Sequence, residues 1–340
     1  MSRQIARLEL SRSQILSFRR TAGSLDARLP MGSKSLRRAA WAGLQDSMPR
    51  AALLSIHARV EGISSNSWEH PSLVQLWGPR FSDYLIASKD LPIFSLGRLP
   101  EDARRRARAD DTADRLHAFL DGRRMPFGQA GRGLGVQPNS LRYASPTGRV
   151  LLRWDGARQP VVWTAPPPDM DRRHARLELA RRYLHVFGPA TSASFARWAG
   201  IRGAEAISAF EALASMLIPT STPIGNAWIL ANDEAAFRAQ PGPAAPARLL
   251  PSGDVYYLLW GADRDILVPD AKQRAELWTT RVWPGALLVG GQILGTWRRS
   301  AAEVSIHVWR RLSSAEREAV EGEAMSLPLG LISPITVRWS

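Results

Sequence analysis

The 340-residue chain contains no cysteine. Disulfide staples and thiolate metal sites are therefore excluded, and with them the small secreted scaffolds built on either. Lysine is nearly missing too: Lys34, Lys89 and Lys272 are the only three. The six histidines (His57, His70, His117, His174, His185 and His307) stand at no spacing that would let two of them share a metal, and no HExxH occurs. The sequence has no GxxxxGK[ST] and no GxGxxG after a strand, so neither a metal nor a nucleotide cofactor is expected. Gly131-Arg132-Gly133-Leu134-Gly135 reads as the elbow between two helices rather than a phosphate loop. No window approaches the roughly eighteen consecutive apolar residues of a membrane span. The opening residues, Met1 to Arg7, are charged and lack the apolar run of a secretory leader, so the expected location is the cytoplasm.

What the chain has in excess is arginine. Forty-five basic against thirty-one acidic residues leave a formal charge of +14. Such a surface attracts polyanions and releases counterions when it meets phosphate. Arginine also forks onto phosphates and guanines in a way lysine does not. An arginine-rich proteome would produce the same excess, so charge favours nucleic acid without identifying it.

The hydrophobic pattern predicts an α+β protein of tandem winged helix-turn-helix domains, followed by a small β-barrel-like domain with a C-terminal helix. Residues 111–120 carry Ala113, Leu116, Phe119 and Leu120 at helical spacing, residues 127–134 form a second helix ended by Gly135, and Pro138 opens a third. Strand-like runs at 150–154 and 160–163 follow, joined by a turn at 155–158. Helix, helix, helix, hairpin is a winged helix. The order returns at 172–187, 192–199 and 204–215, with strands at 217–220 and 227–230, which makes a tandem array. The N-terminal part predicts helices at 12–19, 34–44 and 49–60, with strand and connector at 87–100. After a Pro/Ala linker at 240–246, strands are expected at 256–260, 265–268, 285–289, 292–297 and 304–309. Ser313 and Glu316 then form a capping box for a closing helix that runs to Met325. The expected domains are 1–100, 101–168, 169–239 and 247–340.

Chemistry concentrates in Leu44-Gln45-Asp46-Ser47-Met48-Pro49-Arg50, a polar triplet between a helix end and a proline-initiated helix. Here the sequence resembles the AlkZ/YcaQ-type winged-helix DNA glycosylases, which carry Leu-Gln-x-Gln-x-x-Pro-Arg or Gln-x-Asp at this junction. The likeness continues through Leu179-Ala180-Arg181-Arg182-Tyr183-Leu184, Gly188-Pro189-Ala190-Thr191 and Phe195-Ala196-Arg197-Trp198-Ala199-Gly200. It resumes in Arg248-Leu249-Leu250-Pro251-Ser252-Gly253-Asp254, Asp263-Arg264, Gly295-Thr296-Trp297-Arg298-Arg299 and Glu321-Gly322-Glu323-Ala324. The resemblance implies a concave DNA-binding scaffold that hydrolyses the N-glycosidic bond of alkylated purines, bulky or cross-linked adducts included. An N7-alkylated purine is already cationic and leaves without a general acid, so the enzyme need only place a water and stabilise charge on the sugar.

The catalytic candidates that follow are Gln45, Asp46 and Ser47. Gln45 matches the first signature position, whereas Ser47 stands where the family has Gln or Asp, and a lone hydroxyl is neither a base nor a fork for water. Asp46 has two readings: a water-orienting carboxylate, or a cap for the helix that starts near Pro49. The expected DNA contacts are Arg37, Arg38, Arg50, Arg142, Arg298 and Arg299, of which Arg142 is placed best. The expected partner is double-stranded DNA, and the expected state a monomer. A non-catalytic DNA-binding protein on the same scaffold, or a transcriptional regulator, is the alternative to a monofunctional glycosylase.

Overall fold

The computed structural model describes residues 7–330 and 333–340, so residues 1–6, on which the leader-peptide reading rested, lie outside it. Residues 103–230 follow the sequence pattern closely. The helix Ala103–Leu120 starts earlier than its apolar stripe, because Asp102 accepts the Arg105 amide and the residues up to 108 face solvent. Phe127–Gly133, a 3₁₀ segment at Pro138–Thr147 and the strands Val150–Arg153 and Val161–Thr164 complete the first unit. The second runs through Arg172–Phe187, Ser192–Ala199 and Gly203–Ala212 to the antiparallel strands Leu217–Thr222 and Gly225–Leu230. Asp171 and Thr191 cap the first two of these helices, and Gly200 ends the second in the left-handed region at φ 73°.

The N-terminal part departs from expectation. The helix predicted over 34–44 stops at Ala39, and Leu44–Gln45 is a short strand. The helix predicted over 49–60 is confined to Ala51–His57. Where strand and connector were expected at 87–100, the strand Asp83–Ala87 has already ended and the helix Leu91–Leu96 lies. The first change has a visible cause: a sheet edge formed by residues distant in sequence offers Leu44 and Gln45 backbone partners that no local pattern announces.

That sheet has six antiparallel strands in the order Leu44–Gln45, Asp83–Ala87, Leu73–Trp77, Val150–Arg153, Val161–Thr164, Met125–Pro126. Gln75 opposite Leu152 is the join, so one sheet spans both sides of residue 100. In a separate three-stranded sheet Leu8–Glu9 runs parallel to Leu217–Thr222. Phe18 stacks on Phe237 with ring centroids 3.7 Å apart, which ties the first helix of the chain to its third quarter.

The C-terminal sheet has the order Ala247–Leu250, Gly285–Val289, Gln292–Ser300, Glu303–Val308, Thr336–Trp339, with only the last pair parallel. Among the described residues it is open, and Ser314–Met325, opened by the Ser313/Glu316 capping box, packs against it. The strands expected at 256–260 and 265–268 are buried turns and the helix Asp263–Leu267. An apolar run buried on all sides carries no period to tell strand from coil. Here the Tyr257 hydroxyl donates to the Pro251 and Pro284 carbonyls, both at 2.8 Å, and pins the loop inside.

Candidate active site

Gly43 begins the turn, at φ +72° and with Tyr84 so near that an added Cβ would lie 2.9 Å from its ring. Leu44 then pairs with Leu85 and Gln45 with Tyr84, and the Asp46 amide donates to the Asp83 carbonyl at 2.7 Å. Past this point the chain leaves the sheet, and Arg50 takes up a left-handed conformation (φ 66°) before Ala51–His57 begins. That helix gets no cap from its neighbouring residue. Instead the Asp46 carboxylate reaches forward and accepts the Ala52 amide at 2.9 Å.

The other Asp46 oxygen accepts Gln75 Nε2 at 2.6 Å. Gln75 is itself oriented by the backbone of Trp154, accepting its amide at 2.8 Å and donating to its carbonyl at 3.2 Å. Asp46 is 5% exposed, and both carboxylate oxygens are engaged in the protein interior. Burial pushes its pKa up to about 6, against the Ala52 and Gln75 hydrogen bonds that favour the charged form. The geometry makes a specific demand: both partners are donors, so both oxygens must accept. Asp46→Asn is therefore expected to turn an amide donor against the fixed Gln75 amide and destabilise the fold by about 1–3 kcal/mol. Thermal unfolding of the variant checks this, and unchanged stability would remove the constraint on Gln75.

Gln45 is half-buried and Ser47 exposed, and Gln45 Nε2 donates to the Ser47 hydroxyl at 3.2 Å. Beneath Gln45 lies the turn 251–254. Gly253 (φ +77°) is so close that a Cβ there would sit 3.3 Å from the Gln45 amide carbon. Asp254 in the same turn is held by a two-pronged contact from Arg59, at 2.7 and 2.8 Å, and by the Ser55 hydroxyl at 2.6 Å. Both ends of this ion pair are inaccessible to solvent, at 1% and 0%.

Ser47 also lines a cleft of about 270 Å³ with Trp77, Arg80, Asp83, Asn139 and Arg142. Burial, then the neighbouring charge of Asp46, push the Asp83 pKa up to about 6, while Arg142 opposes the shift. Arg142 is half-buried and donates to Asn139 Oδ1 at 2.6 Å. The remaining expected DNA contacts lie elsewhere. Arg50 stacks over Trp68 at 4.6 Å, beside the cap. Arg37 is clamped on the buried Asp90, with a shortest contact of 2.6 Å, whereas Arg38 on the same helix is exposed. Arg298 is exposed and Arg299 half-buried on the C-terminal sheet, and neither borders this cleft. His57 faces away from it, pushed down to about 3 by burial and by Arg28, and contacts Ser326 at 3.1 Å.

Sequence reasoning missed Gln75, Asp83 and the 251–254 turn as parts of the site. Gln75 had a signal, a lone amide within the apolar run 73–77. Asp83 had none. Among the described residues no three His, Asp or Glu side chains converge on a metal position, and no helix is long and apolar enough to cross a membrane.

The chain is a mixed α+β scaffold that presents Gln45 at a sheet edge, bonded to Ser47 in a cleft lined by Arg80 and Arg142. Residues 38–328 match the family described as DNA glycosylase AlkZ-like, and the chain belongs to that family. Its fold is similar to that of the Streptomyces sahachiroi DNA glycosylase AlkZ, with a TM-score of 0.79 at 18% sequence identity over 98% of this chain and 100% of that one. None of the curated proteins matches the sequence.

Proposed function

We propose that the protein is a monofunctional DNA glycosylase that hydrolyses the N-glycosidic bond of alkylated or bulky-adduct purines in double-stranded DNA, in repair or self-resistance. The observation that carries the reading is Gln45. Its amide lies against Gly253 and donates to the hydroxyl of Ser47, which lines a cleft with Arg80 and Arg142, in a chain of glycosylase family. In this reading Gln45 orients the attacking water and faces the charge that develops on the sugar. Asp46 is a positioning residue: its carboxylate fixes the turn through Ala52 and Gln75. Ser47 contributes the hydroxyl to which Gln45 is bonded. The two helix-and-hairpin units are read as winged helices that carry the duplex, with Arg142 on phosphate and Arg38, Arg50, Arg298 and Arg299 as further contacts. The protein acts in the cytoplasm as a monomer without metal or cofactor. Incubation with duplex DNA carrying N7-methylguanine, followed by detection of free base and of an unbroken abasic strand, tests the reading.

A second reading, an inert DNA-binding protein on the same scaffold, is favoured by Ser47 itself, whose short side chain is already tied to Gln45. Ser47→Gln separates the two, because restoring the family's second amide raises base release from a low baseline only if the remaining machinery is competent. In both readings binding is arginine to phosphate. The logarithm of affinity for duplex DNA should then fall linearly with the logarithm of salt, with a slope near −0.9 per phosphate contacted. Affinity that is flat between low and high salt would remove the phosphate contacts.

A further inference from the structure

A cavity of about 650 Å³ beside the cleft lies between the helix Ala103–Leu120, the segment Pro138–Thr147 and the turn that follows Gly200. None of the catalytic candidates lines it, nor do Arg37, Arg38, Arg50, Arg142, Arg298 or Arg299. Phe81 is the wall it shares with the cleft, and Phe81 meets Tyr143 edge-on with ring centroids 5.0 Å apart. Tyr143 is 57% exposed, a large aromatic face left open to solvent. The partition is held in an unusual backbone: Arg80 and Phe81 are consecutive non-glycine residues at φ 57° and 58°. Such conformations persist where surrounding structure over-determines them, and they concentrate at ligand sites. Here Arg80 stacks 4.6 Å over Trp260, and its backbone is so close to Gly200 that a Cβ there would lie 3.0 Å away.

Arg98 lines the cavity and is 3% exposed. Its guanidinium donates only to carbonyls, those of Ala199 at 3.0 Å, Trp77 at 2.9 Å and Phe94 at 3.3 Å, and lies 5.0 Å over the Phe81 ring. Its second terminal nitrogen has no hydrogen-bond partner among the described residues. A guanidinium buried without a carboxylate is costly, and the cost shows in a pKa pushed down to about 9 by burial. Arg105 and Arg108 extend the same wall, exposed on the helix above it. The carboxylates that reach the cavity are otherwise engaged. Glu205 accepts the Glu101 and Arg202 amides at 2.9 and 3.1 Å, and Asp111 lies 3.7 Å from Arg115.

We propose that this cavity is a binding site for a single nucleotide unit, with its phosphate on the exposed Arg105 and Arg108, its base against Tyr143 and Phe81, and the buried Arg98 cation behind the wall. A phosphate held by Arg105 and Arg108 also lies in the field of Arg98, a buried cation with no carboxylate beside it, and the open aromatic face stacks a base of any identity. The nucleotide comes either from a DNA strand leaving the neighbouring cleft or from solution as a free mononucleotide. The proposal does not depend on base release.

The test titrates the full-length protein by calorimetry with deoxyadenosine monophosphate, deoxyadenosine, inorganic phosphate and a short single-stranded oligonucleotide. It compares wild type with Arg108→Ala, Tyr143→Leu and the charge-matched control Arg281→Ala, whose side chain is exposed elsewhere. A free-nucleotide site gives monophosphate binding tighter than either half alone, and weaker by about tenfold or more in Arg108→Ala and Tyr143→Leu. A strand site leaves the monophosphate silent while oligonucleotide affinity falls in those two variants and holds in Arg281→Ala. Oligonucleotide affinity that falls equally in Arg108→Ala and Arg281→Ala and is untouched in Tyr143→Leu, with no monophosphate binding, overturns the proposal. Because Arg98 braces three carbonyls, its replacement is left out of the comparison.

Discussion

Gln45→Ala is expected to lower the rate of base release by about 10²–10³, the loss typical when one preorganised polar group that faces developing charge is removed. Affinity for duplex DNA should stay within a factor of about two, because Gln45 is neutral and the phosphate contacts are arginines. The separation of rate from affinity is the informative part. A side chain that only helped bind substrate would raise KM and leave kcat alone, whereas one that acts at the transition state lowers both kcat and kcat/KM. The fold should tolerate the change, since Gln45 donates to an exposed serine and truncation leaves no buried partner unpaired. Single-turnover release of N7-methylguanine measures the effect. Full activity in the variant would move the chemistry away from the sheet edge.

The second large effect belongs to Arg59, which touches no part of the cleft. Arg59→Met strands the Asp254 carboxylate, 0% exposed, with the Ser55 hydroxyl and the Tyr256 amide (2.9 Å) as its remaining donors. Breaking a buried ion pair from one side destabilises by about 3–5 kcal/mol, because the remaining charge has lost its counter-ion. The double variant Arg59→Met, Asp254→Leu should recover much of that loss, since neither charge is then buried. The turn that Asp254 anchors also places Gly253 against Gln45, so both variants should lose base release even at temperatures where the double variant is fully folded. Chemical denaturation and release assays on the three proteins separate the two effects. Equal stability of wild type and Arg59→Met would mean that the pair is not needed to hold the turn.

Much of this protein was legible in its residues. The units between 103 and 230 declared themselves because their helices are amphipathic and punctuated: Thr191 caps one, Gly200 ends it, and the stripe through Phe210 faces inward. Those signals are local, and local signals survive reading without neighbours. The closing helix was legible for the same reason, through Ser313 and Glu316. The run at 256–268 misled, because residues buried by a wrapping loop are as apolar as those of a strand.

By itself, then, the sequence determined the polyanion-attracting charge, the repeated helical units and the Gln45-Asp46-Ser47 turn as the place where polar groups gather. Only the tertiary structure decided which partners each member of that turn meets. Asp46 accepts the Ala52 amide on one oxygen and Gln75 on the other, partners that the sequence does not show. Arg37 was a free cation in the sequence and is a partner of Asp90 in the fold. Gln45 gained its support from Gly253 and Asp254, some two hundred positions away, in a turn that Arg59 anchors. The physical reason is common to all three. Charge and polarity are properties of a residue, whereas whether a polar atom is free to act depends on which partners the packed chain brings within hydrogen-bond reach, and a two-residue strand exists only where such partners meet it.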